Sequence, residues 1–332
     1  MKTIIVTHRD DVDGIISGAL LRRIYGPGAK IIFCSYPKQE EVFRQLAELA
    51  QGAQICIADI AAKDFPLPGE RETVLELIAS RAEKLEWYDH HSDTADFVSL
   101  FEKYGHKVIL GESICATELI LRNLLPRDWY AEFLARIAQT HDYPVVGSTG
   151  MSVKAGIGLQ KIILYFNSRD DINGLTELAN MIARDHLWYL GDEFCSKLNC
   201  IIFTVEAQIA RAHEAAFKNR MIIEIEGRKF VITCANEVLY DKKTLVDLRD
   251  EFVGEVDGVM VYFLPPRSHA LFYRGTQSDF DAQKFCKFMG GGGRDGDKGG
   301  FSSPIKYSQE EFGLFLTFMT KRLDEFIENG GG

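Results

Sequence analysis

The first 110 residues alternate short apolar runs with amphipathic stretches, and this alternation constrains the fold more than any other feature. The short runs predict buried strands, and the stretches between them carry apolar residues at helical spacing. Such alternation is typical of an α/β fold whose mostly parallel sheet has helices on both faces. The predicted strands are Thr3–Thr7, Lys30–Ser35, Gln54–Asp59, Lys84–Tyr88 and Lys107–Leu110, and the predicted helices are Gly14–Tyr25, Lys38–Gln51 and Glu70–Ala82.

The pattern becomes helical and then returns to strands in the rest of the chain. Helices are predicted over Ser113–Leu125 and Asp128–Thr140, and residues 171–220 read almost entirely as helix. The later elements are a hairpin of Met221–Ile225 with Lys229–Cys234, the strands Val259–Leu264 and Ala270–Tyr273, and the helix Asp281–Met289. We expect a first domain over residues 1–190, a helical connector over 191–220 and a smaller α/β domain over 221–332.

Charge and hydropathy exclude several classes of protein. The formal net charge of −10 argues against a protein held on long duplex by a broad basic face. The N-terminus runs directly into a strand pattern without a signal-peptide core, and no segment offers the ~20 apolar residues of a membrane span. The seven cysteines, none in Cys-x-x-Cys spacing, fit buried reduced thiols, and we expect a cytoplasmic protein without a membrane partner.

Polar side chains end four of the predicted elements in the first half of the chain. Strands of a parallel sheet deliver their carboxyl ends to one edge, where ligands bind in open α/β sheets. We therefore expect these side chains to converge. The clusters are His8 to Asp13 after the first strand, Asp59 after the third, Asp89-His90-His91 after the fourth, and His141-Asp142 at the end of a helix.

Each cluster also has an ordinary explanation when it is taken alone. Asp11 or Asp13 would be the N-cap of the following helix, and Asp59 would begin a turn. A pair of histidines would be a surface feature, and His141-Asp142 would be a helix end. Together the clusters favour a binding site, because packed carboxylates repel one another and are costly to desolvate unless cations neutralise them.

The donor types in these clusters indicate divalent metal ions. Carboxylates and imidazoles without a thiolate suit Mn²⁺ or Mg²⁺. Four aspartates and two or three histidines suffice for two ions. Paired ions lie about 3.5–4 Å apart in such sites and clamp the attacking and leaving oxygens of a displacement at phosphorus. The sequence thus predicts a two-metal site for phosphoryl chemistry.

Asp89-His90-His91 resembles the signature triplet of the DHH phosphoesterase superfamily, and the other clusters occur in that family's order. The segment from His8 to Gly14 resembles the first motif, a histidine followed by Asp-x-Asp and a small residue. Asp59 resembles the aspartate of the second motif, and Asp142 resembles that of the fourth. The resemblance covers the whole chain, because the C-terminal half is similar to the DHH-associated domain.

One departure from the family pattern concerns the first motif. Many members have a histidine four positions before the first aspartate, whereas His8 precedes Asp11 by three positions. Asp10 offers an alternative alignment. We prefer Asp11 and Asp13, because Gly14 then occupies the small-residue position.

The resemblance implies a role for each of these residues. Two Mn²⁺ ions, with Mg²⁺ or Co²⁺ as substitutes, would share Asp59 as a bridging ligand. His91 would contact the scissile phosphate as hydrogen-bond donor or general acid, and Asp89 would orient a histidine from behind. The implied ligands are His8, Asp11 and Asp59 for one ion, and Asp13, Asp59, His90 and Asp142 for the other.

A glycine-rich stretch, Gly290–Gly300, follows the last predicted helix and is interpreted as a loop. Glycines let a backbone approach phosphate closely, although a mobile surface loop is the alternative. The stretch resembles the family's glycine loop, with Arg294 where a histidine is common, and arginine grips phosphate in bidentate fashion. The resemblance implies substrate binding by Arg274, Gly291, Gly292, Gly293 and Arg294, although a solvated strand-end charge is the alternative for Arg274.

The resemblance implies a Mn²⁺-dependent phosphodiesterase or phosphatase for short oligonucleotides or small nucleotides. Oligoribonucleases and 3′-phosphoadenosine 5′-phosphate phosphatases are the similar activities. The length of 332 residues disfavours a full RecJ-type single-strand exonuclease, and the lack of a preceding span disfavours a membrane-anchored cyclic-dinucleotide phosphodiesterase. Both stay as alternatives, as does a non-catalytic binding partner, which we expect to lack metal ligands. The sequence leaves a homodimer open.

Overall fold

The chain folds into two compact units, Met1–Ile202 and Phe203–Gly332. The computed structural model describes residues 1–67, 72–111, 114–143, 150–184, 193–235, 242–264, 268–294 and 296–330. Within those ranges, no helix combines the length and the apolar character that crossing a membrane requires. The predicted fold class, α/β with a mostly parallel sheet in the first part of the chain and a second α/β part, is confirmed.

The first unit is built on a parallel sheet of five strands. These are β1 (Thr3–His8), β2 (Lys30–Cys34), β3 (Gln54–Ala58), β4 (Lys84–Asp89) and β5 (Lys107–Leu110). The strand order is β2-β1-β3-β4-β5, and every neighbouring pair is parallel. All carboxyl ends therefore lie at one edge, as the alternating sequence pattern predicts.

Helices cover both faces of this sheet. They are α1 (Val12–Tyr25), α2 (Gln39–Leu49), α3 (Val74–Arg81), α4 (Val98–Lys103), α5 (Ala116–Leu124), α6 (Trp129–Asp142), α7 (Met151–Asn167) and α8 (Ile172–Ala183), and α9 (Glu193–Lys218) spans the division between the units. On one face, α2, α3 and α4 bury alternate strand residues such as Ile4, Ile55 and Trp87. On the other, α1 contacts β1 and β3 and packs with α5, α6 and α8.

Several boundaries differ from the predicted ones, and the differences place site residues inside elements. The first helix begins at Val12 rather than at Gly14, because Asp11 is its N-cap. The third predicted helix begins at Val74, where Thr73 provides the cap, and its predicted start at Glu70 lies outside the described residues. Strands β1 and β4 extend through His8 and Asp89, and α6 continues through Asp142. In the first unit, helices α4 and α7 were not predicted.

The second unit contains a mixed sheet of six strands. These are β6 (Met221–Ile225), β7 (Arg228–Ala235), β8 (Gly258–Phe263), β9 (His269–Arg274), β10 (Gly292–Arg294) and β11 (Lys298–Ser302), in the order β10-β11-β9-β8-β7-β6. The helices described in this unit are α10 (Lys242–Glu251), α11 (Ala282–Phe288) and α12 (Phe312–Glu328). Its core is aromatic, with Phe272, Phe280 and Phe285 fully buried.

The two turn predictions in this unit had opposite outcomes. The β6–β7 hairpin is confirmed, and its turn residues Glu226 and Gly227 have φ of 49° and 76°, as a tight hairpin turn requires. The predicted loop over Gly290–Gly300 is wrong, because β10 and β11 pair within it. A Cβ on Gly291 would lie 2.0 Å from the carbonyl oxygen of Gly300, so glycine permits the close approach of these strands.

Candidate metal centre

One group of three polar side chains lies where β1 and β3 end. His8 closes β1, and Asp59 directly follows β3. Nδ1 of His8 lies 3.1 Å from Oδ2 of Asp11 and 3.6 Å from Oδ2 of Asp59. One ligand atom from each residue lies within 4.8 Å of the others, so the three side chains have the spacing to hold a metal ion.

Asp11 caps α1 and faces this group at the same time. Its Oδ1 accepts the backbone N–H of Gly14 at 3.0 Å, whereas its Oδ2 faces His8. Gly14 is required here, because a Cβ on it would lie 2.2 Å from the backbone oxygen of His8. Asp10, the alternative alignment, reaches Nε2 of His8 at 3.5 Å but lies outside the three-residue group. The capping explanation and the ligand explanation of Asp11 therefore both apply.

A second group joins His90, Asp142 and Asp13. Nε2 of His90 lies 3.2 Å from Oδ1 of Asp59 and 3.7 Å from Oδ2 of Asp142. Ligand atoms of Asp13, His90 and Asp142 lie within 4.8 Å of one another. Asp59 turns Oδ2 toward His8 and Oδ1 toward His90, so one carboxylate lies between the two groups, as a bridging ligand would.

The backbone of Asp59 is held in a conformation that non-glycine residues seldom adopt. Its φ is 55°, in the left-handed region, which costs about 1–2 kcal/mol for a residue with a Cβ. The backbone N–H of Asp59 donates to the carbonyl of Tyr88 at 3.0 Å. Strain of this kind clusters at functional sites, and here it aims the carboxylate between two groups of donors.

Asp13 is fully buried and caps a helix other than the expected one. Its Oδ2 accepts the N–H of Ala116 at 2.7 Å, and its Oδ1 accepts the N–H and the hydroxyl of Thr117 at 2.9 Å and 2.5 Å. These groups begin α5, so the ordinary explanation of Asp13 as the cap of α1 is wrong. A carboxylate at a helix N-terminus is stabilised by the helix dipole.

Asp89 holds the ring of His91 in one orientation. Its Oδ1 accepts from Nδ1 of His91 at 2.7 Å, and its Oδ2 accepts the hydroxyl of Thr94. The oxygen of Thr94 accepts the N–H of Ala62 at 2.8 Å, so its own proton faces Asp89. Nε2 of His91 consequently points away from Asp89, toward the hydroxyl of Tyr36 at 3.1 Å.

Four side chains around the centre were not identified from the sequence. Each makes a hydrogen bond to a predicted residue, and Tyr143 does so at 2.9 Å from Nδ1 of His90. That contact turns Nε2 of His90 toward the two aspartates. The four are Tyr36, Thr94, Thr117 and Tyr143. Only Tyr143 had a signal in the sequence, because it directly follows His141-Asp142.

Burial and mutual repulsion raise the pKa of some carboxylates of the centre, whereas burial alone would raise the pKa of Asp11 but the adjacent His8 lowers it. Burial, with the charges of Asp11 and Asp13, raises the pKa of Asp59 well above its ordinary value. Burial and the charges of Asp13, Asp11 and Asp59 raise the pKa of Asp142 to about 8. Burial alone would lower the pKa of His8, but the surrounding carboxylates raise it well above the ordinary value. Divalent cations would displace the protons of the groups whose pKa is raised.

The residues present fit such cations. Oδ2 of Asp59, which faces Nδ1 of His8, is buried and has no hydrogen-bond partner in the part of the chain that the structure describes. Leaving such atoms without partners is costly, and coordination would remove that cost. The donors are carboxylates and imidazoles, the set that suits Mn²⁺ or Mg²⁺.

The residues expected to bind substrate lie in the second unit. Arg274 ends β9, and its guanidinium pairs with the carboxylate of Asp297. Gly292 and Gly293 lie in β10, and Gly291 precedes that strand. A Cβ on Gly292 would meet no atom within 4 Å. The side chain of Arg294 lies outside the described residues, and its backbone pairs with Lys298.

The chain is similar to solved structures over nearly its whole length. No family model and no curated protein matches it. An exopolyphosphatase-related protein from Bacteroides fragilis shares 14% identity and a TM-score of 0.48, covering 98% of this chain and 92% of that one. A pGpG-specific phosphodiesterase from Vibrio cholerae shares 14% identity and a TM-score of 0.48, covering 100% and 99%. An uncharacterized protein from Helicobacter pylori G27 shares 12% identity and a TM-score of 0.40, covering 97% and 99%. At this level, these similarities do not assign an activity to this chain.

Proposed function

We propose that this protein is a two-metal phosphoesterase of the DHH type, with Mn²⁺ as its ion and Mg²⁺ or Co²⁺ as substitutes. One observation carries the proposal. Six side chains from four separate motifs lie at ligand spacing, and Asp59 faces both groups. A non-catalytic relative is expected to lack ligands, whereas a candidate side chain is present at every implied position.

Each of the two groups of side chains would hold one metal ion. His8, Asp11 and Asp59 would hold one ion, and Asp13, Asp59, His90 and Asp142 would hold the other. Bound divalent ions would neutralise the phosphoryl group and lower the pKa of the attacking water. The protein's own contribution is to fix the donors before substrate arrives, and the strained backbone of Asp59 serves that purpose.

His91 is the residue proposed to act on the substrate. Asp89 occupies Nδ1 of His91, so Nε2 is the atom that faces outward. From there His91 would donate a hydrogen bond to the scissile phosphate or a proton to the leaving oxygen. General acids of this kind contribute about 10²–10⁴-fold to a rate.

The proposed substrates are short oligonucleotides or small nucleotides. The net charge of −10 disfavours long duplex, whereas bound cations would attract a small anion locally. Arg274, Arg294 and the glycines Gly291, Gly292 and Gly293 are the proposed contacts in the second unit. The open space beside Gly292 supports this, because a ligand backbone or phosphate would fit there.

A substrate panel tests the proposal. Purified protein with Mn²⁺ should release mononucleotide from labelled RNAs of a few nucleotides. The panel also includes 3′-phosphoadenosine 5′-phosphate, linear and cyclic dinucleotides and single-stranded DNA. An Asp59→Asn preparation, purified in parallel, reports any contaminating nuclease. Absence of turnover on every substrate would refute the enzyme proposal.

A further inference from the structure

Tyr36 is placed beside the reacting groups but has no role in the reaction proposed above. Its hydroxyl lies 3.1 Å from Nε2 of His91, and its ring centroid lies 5.0 Å from that of His8. We propose that Tyr36 is a second substrate-contacting residue, whose hydroxyl donates a hydrogen bond to a phosphoryl oxygen beside His91. This inference rests on the proposed function of the centre.

The hydrogen bonds behind His91 fix which atom donates. Ala62 donates to Thr94, Thr94 donates to Asp89, and Asp89 therefore accepts from Nδ1 of His91. The form of His91 that donates to the phosphate has hydrogens on both ring nitrogens, whereas the neutral form has its hydrogen on Nδ1 and a lone pair on Nε2. The hydrogen shared with Tyr36 then belongs to the phenol. Tyr36 thus directs a donor at the atom where the substrate phosphate is expected.

The backbone brings Tyr36 to the same sheet edge as the metal centre. Strand β2 pairs with β1, and its last residue, Cys34, lies opposite His8. The chain then forms a 3₁₀ turn, Tyr36–Lys38, in which Pro37 restricts the backbone and the N–H of Lys38 donates to the carbonyl of Ser35. The tyrosine is therefore presented by a short, constrained segment.

Tyr36 is more exposed to solvent than the candidate metal ligands beside it. Tyr36 is 42% exposed, whereas Asp59 is 2% exposed and His8 is 8% exposed. Tyr36 consequently reaches solvent beside two buried candidate ligands, where a substrate has access to it. A tyrosine that only covered His8 would need its ring and not its hydroxyl. The direction of the hydroxyl toward His91 is what indicates a contact with substrate.

The expected contribution follows from the chemistry of the acceptor. A phosphoryl oxygen is charged, and hydrogen bonds to charged oxygens are stronger than those to a neutral imidazole. Removing one donor that faces developing charge on a reacting oxygen costs about 10²–10³-fold in kcat. When substrate is bound, the hydroxyl of Tyr36 would donate to the phosphoryl oxygen in place of Nε2 of His91.

Tyr36→Phe tests the inference, because it keeps the ring and removes the hydroxyl. Tyr104→Phe is the matched control, since the half-buried Tyr104 donates its hydroxyl to Glu76, which is not a residue of the metal centre. We expect Tyr36→Phe to bind Mn²⁺ like the wild type in calorimetry, to lose about 100-fold in kcat on a dinucleotide, and to bind inorganic phosphate several-fold more weakly when loaded with Mn²⁺. Tyr104→Phe should change none of these.

The phosphate titration keeps this inference separate from the proposed function. A wild type that turns over no substrate refutes the function, yet Tyr36-dependent phosphate binding would still support the inference. Unchanged turnover and unchanged phosphate affinity in Tyr36→Phe would overturn it and leave the function standing. Weaker Mn²⁺ binding together with a lower kcat in Tyr36→Phe would also overturn it, because Tyr36 would then support the metal centre. A wild type that binds Mn²⁺ but no phosphate overturns it as well.

Discussion

Two regions of the molecule differ in how their buried polar atoms are satisfied: the candidate metal centre of the first unit and the β10–β11 hairpin of the second. In the metal centre, the buried Oδ2 of Asp59 has no hydrogen-bond partner among the described residues. In the hairpin, the N–H of Gly291 donates to Cys286, and the carbonyl of Gly293 accepts from Gln283. The metal centre therefore leaves a buried polar atom for a ligand to satisfy, whereas packing already explains part of the glycine run.

Removing the shared carboxylate should have the largest effect. Asp59→Asn preserves the left-handed backbone, which asparagine tolerates, and removes the charge that faces both groups. We expect loss of bound Mn²⁺ and a fall in activity of about 1,000-fold or more. Metal content and dinucleotide turnover measure both. Asp96→Asn, at an exposed aspartate, is the control, and full metal content in Asp59→Asn would contradict the bridging role.

Alanine substitutions at the two adjacent histidines should have different effects, one on kcat and the other on metal binding. His91→Ala should keep Mn²⁺ and lose about 10²–10⁴-fold in kcat, because it removes the group proposed to act on the phosphate. His90→Ala should lose metal, because Nε2 of His90 faces Asp59 and Asp142. Mn²⁺ calorimetry with single-turnover kinetics distinguishes them. The reverse pattern would mean that the two roles are exchanged.

Tyr143→Phe should weaken metal binding without abolishing it. The change removes the oxygen that accepts from Nδ1 of His90, and loss of such supporting hydrogen bonds costs about 10–100-fold in metal affinity. Competition of Mn²⁺ binding against a chelator measures the change. Wild-type affinity in the variant would show that His90 is held by its aspartate contacts alone.

Alanine at two neighbouring glycines should separate packing from binding in the hairpin. Gly291→Ala should destabilise the protein by about 1–3 kcal/mol, because its Cβ would overlap the oxygen of Gly300. Gly292→Ala should leave stability unchanged, since its Cβ meets open space, and should raise KM if the proposed phosphate contact exists. Urea unfolding and steady-state kinetics measure both. Equal destabilisation would contradict this division.

The metal-free protein should lose stability as pH rises toward 8. Asp142 has a folded pKa of about 8 against an ordinary value of 3.8, so between these values the folded state holds a proton that the unfolded state has released. Each such group lowers stability by about 1.4 kcal/mol per pH unit in that window. Urea unfolding in EDTA measures the slope. Asp142→Asn should reduce the slope but not abolish it, because the raised pKa of Asp59 still contributes, and an unchanged slope in that variant would refute the assignment.

The parallel sheet and the residues at its edge could be predicted because their signals are local. Strand–helix alternation gives the sheet, and a parallel sheet places His8, Asp59 and Asp89 at one edge whatever the rest of the chain does. The kind of metal ion could be predicted because carboxylates and imidazoles without a thiolate suit Mn²⁺ or Mg²⁺. The supporting contacts could not be found this way, because Thr117 lies 104 positions from Asp13, and the neighbours of Tyr143 in the sequence do not reveal its contact with His90, 53 positions away.

The glycine hairpin was missed for a different reason. Glycine has low strand propensity, so a run of glycines indicates a loop. In the folded protein, packing overrides that preference, because a Cβ on Gly299 would lie 2.6 Å from the Cβ of Cys286 in α11. Only the tertiary contact explains why strands form there.

Mn²⁺ titration of the metal-stripped protein tests the central claim most directly. Isothermal calorimetry of the wild type and of Asp59→Asn, in the same buffer at pH 8, counts the ions and shows whether they share a ligand. The account predicts two Mn²⁺ ions per chain in the wild type and the loss of both in Asp59→Asn. An absence of binding in the wild type, or two ions retained in the variant, would contradict it.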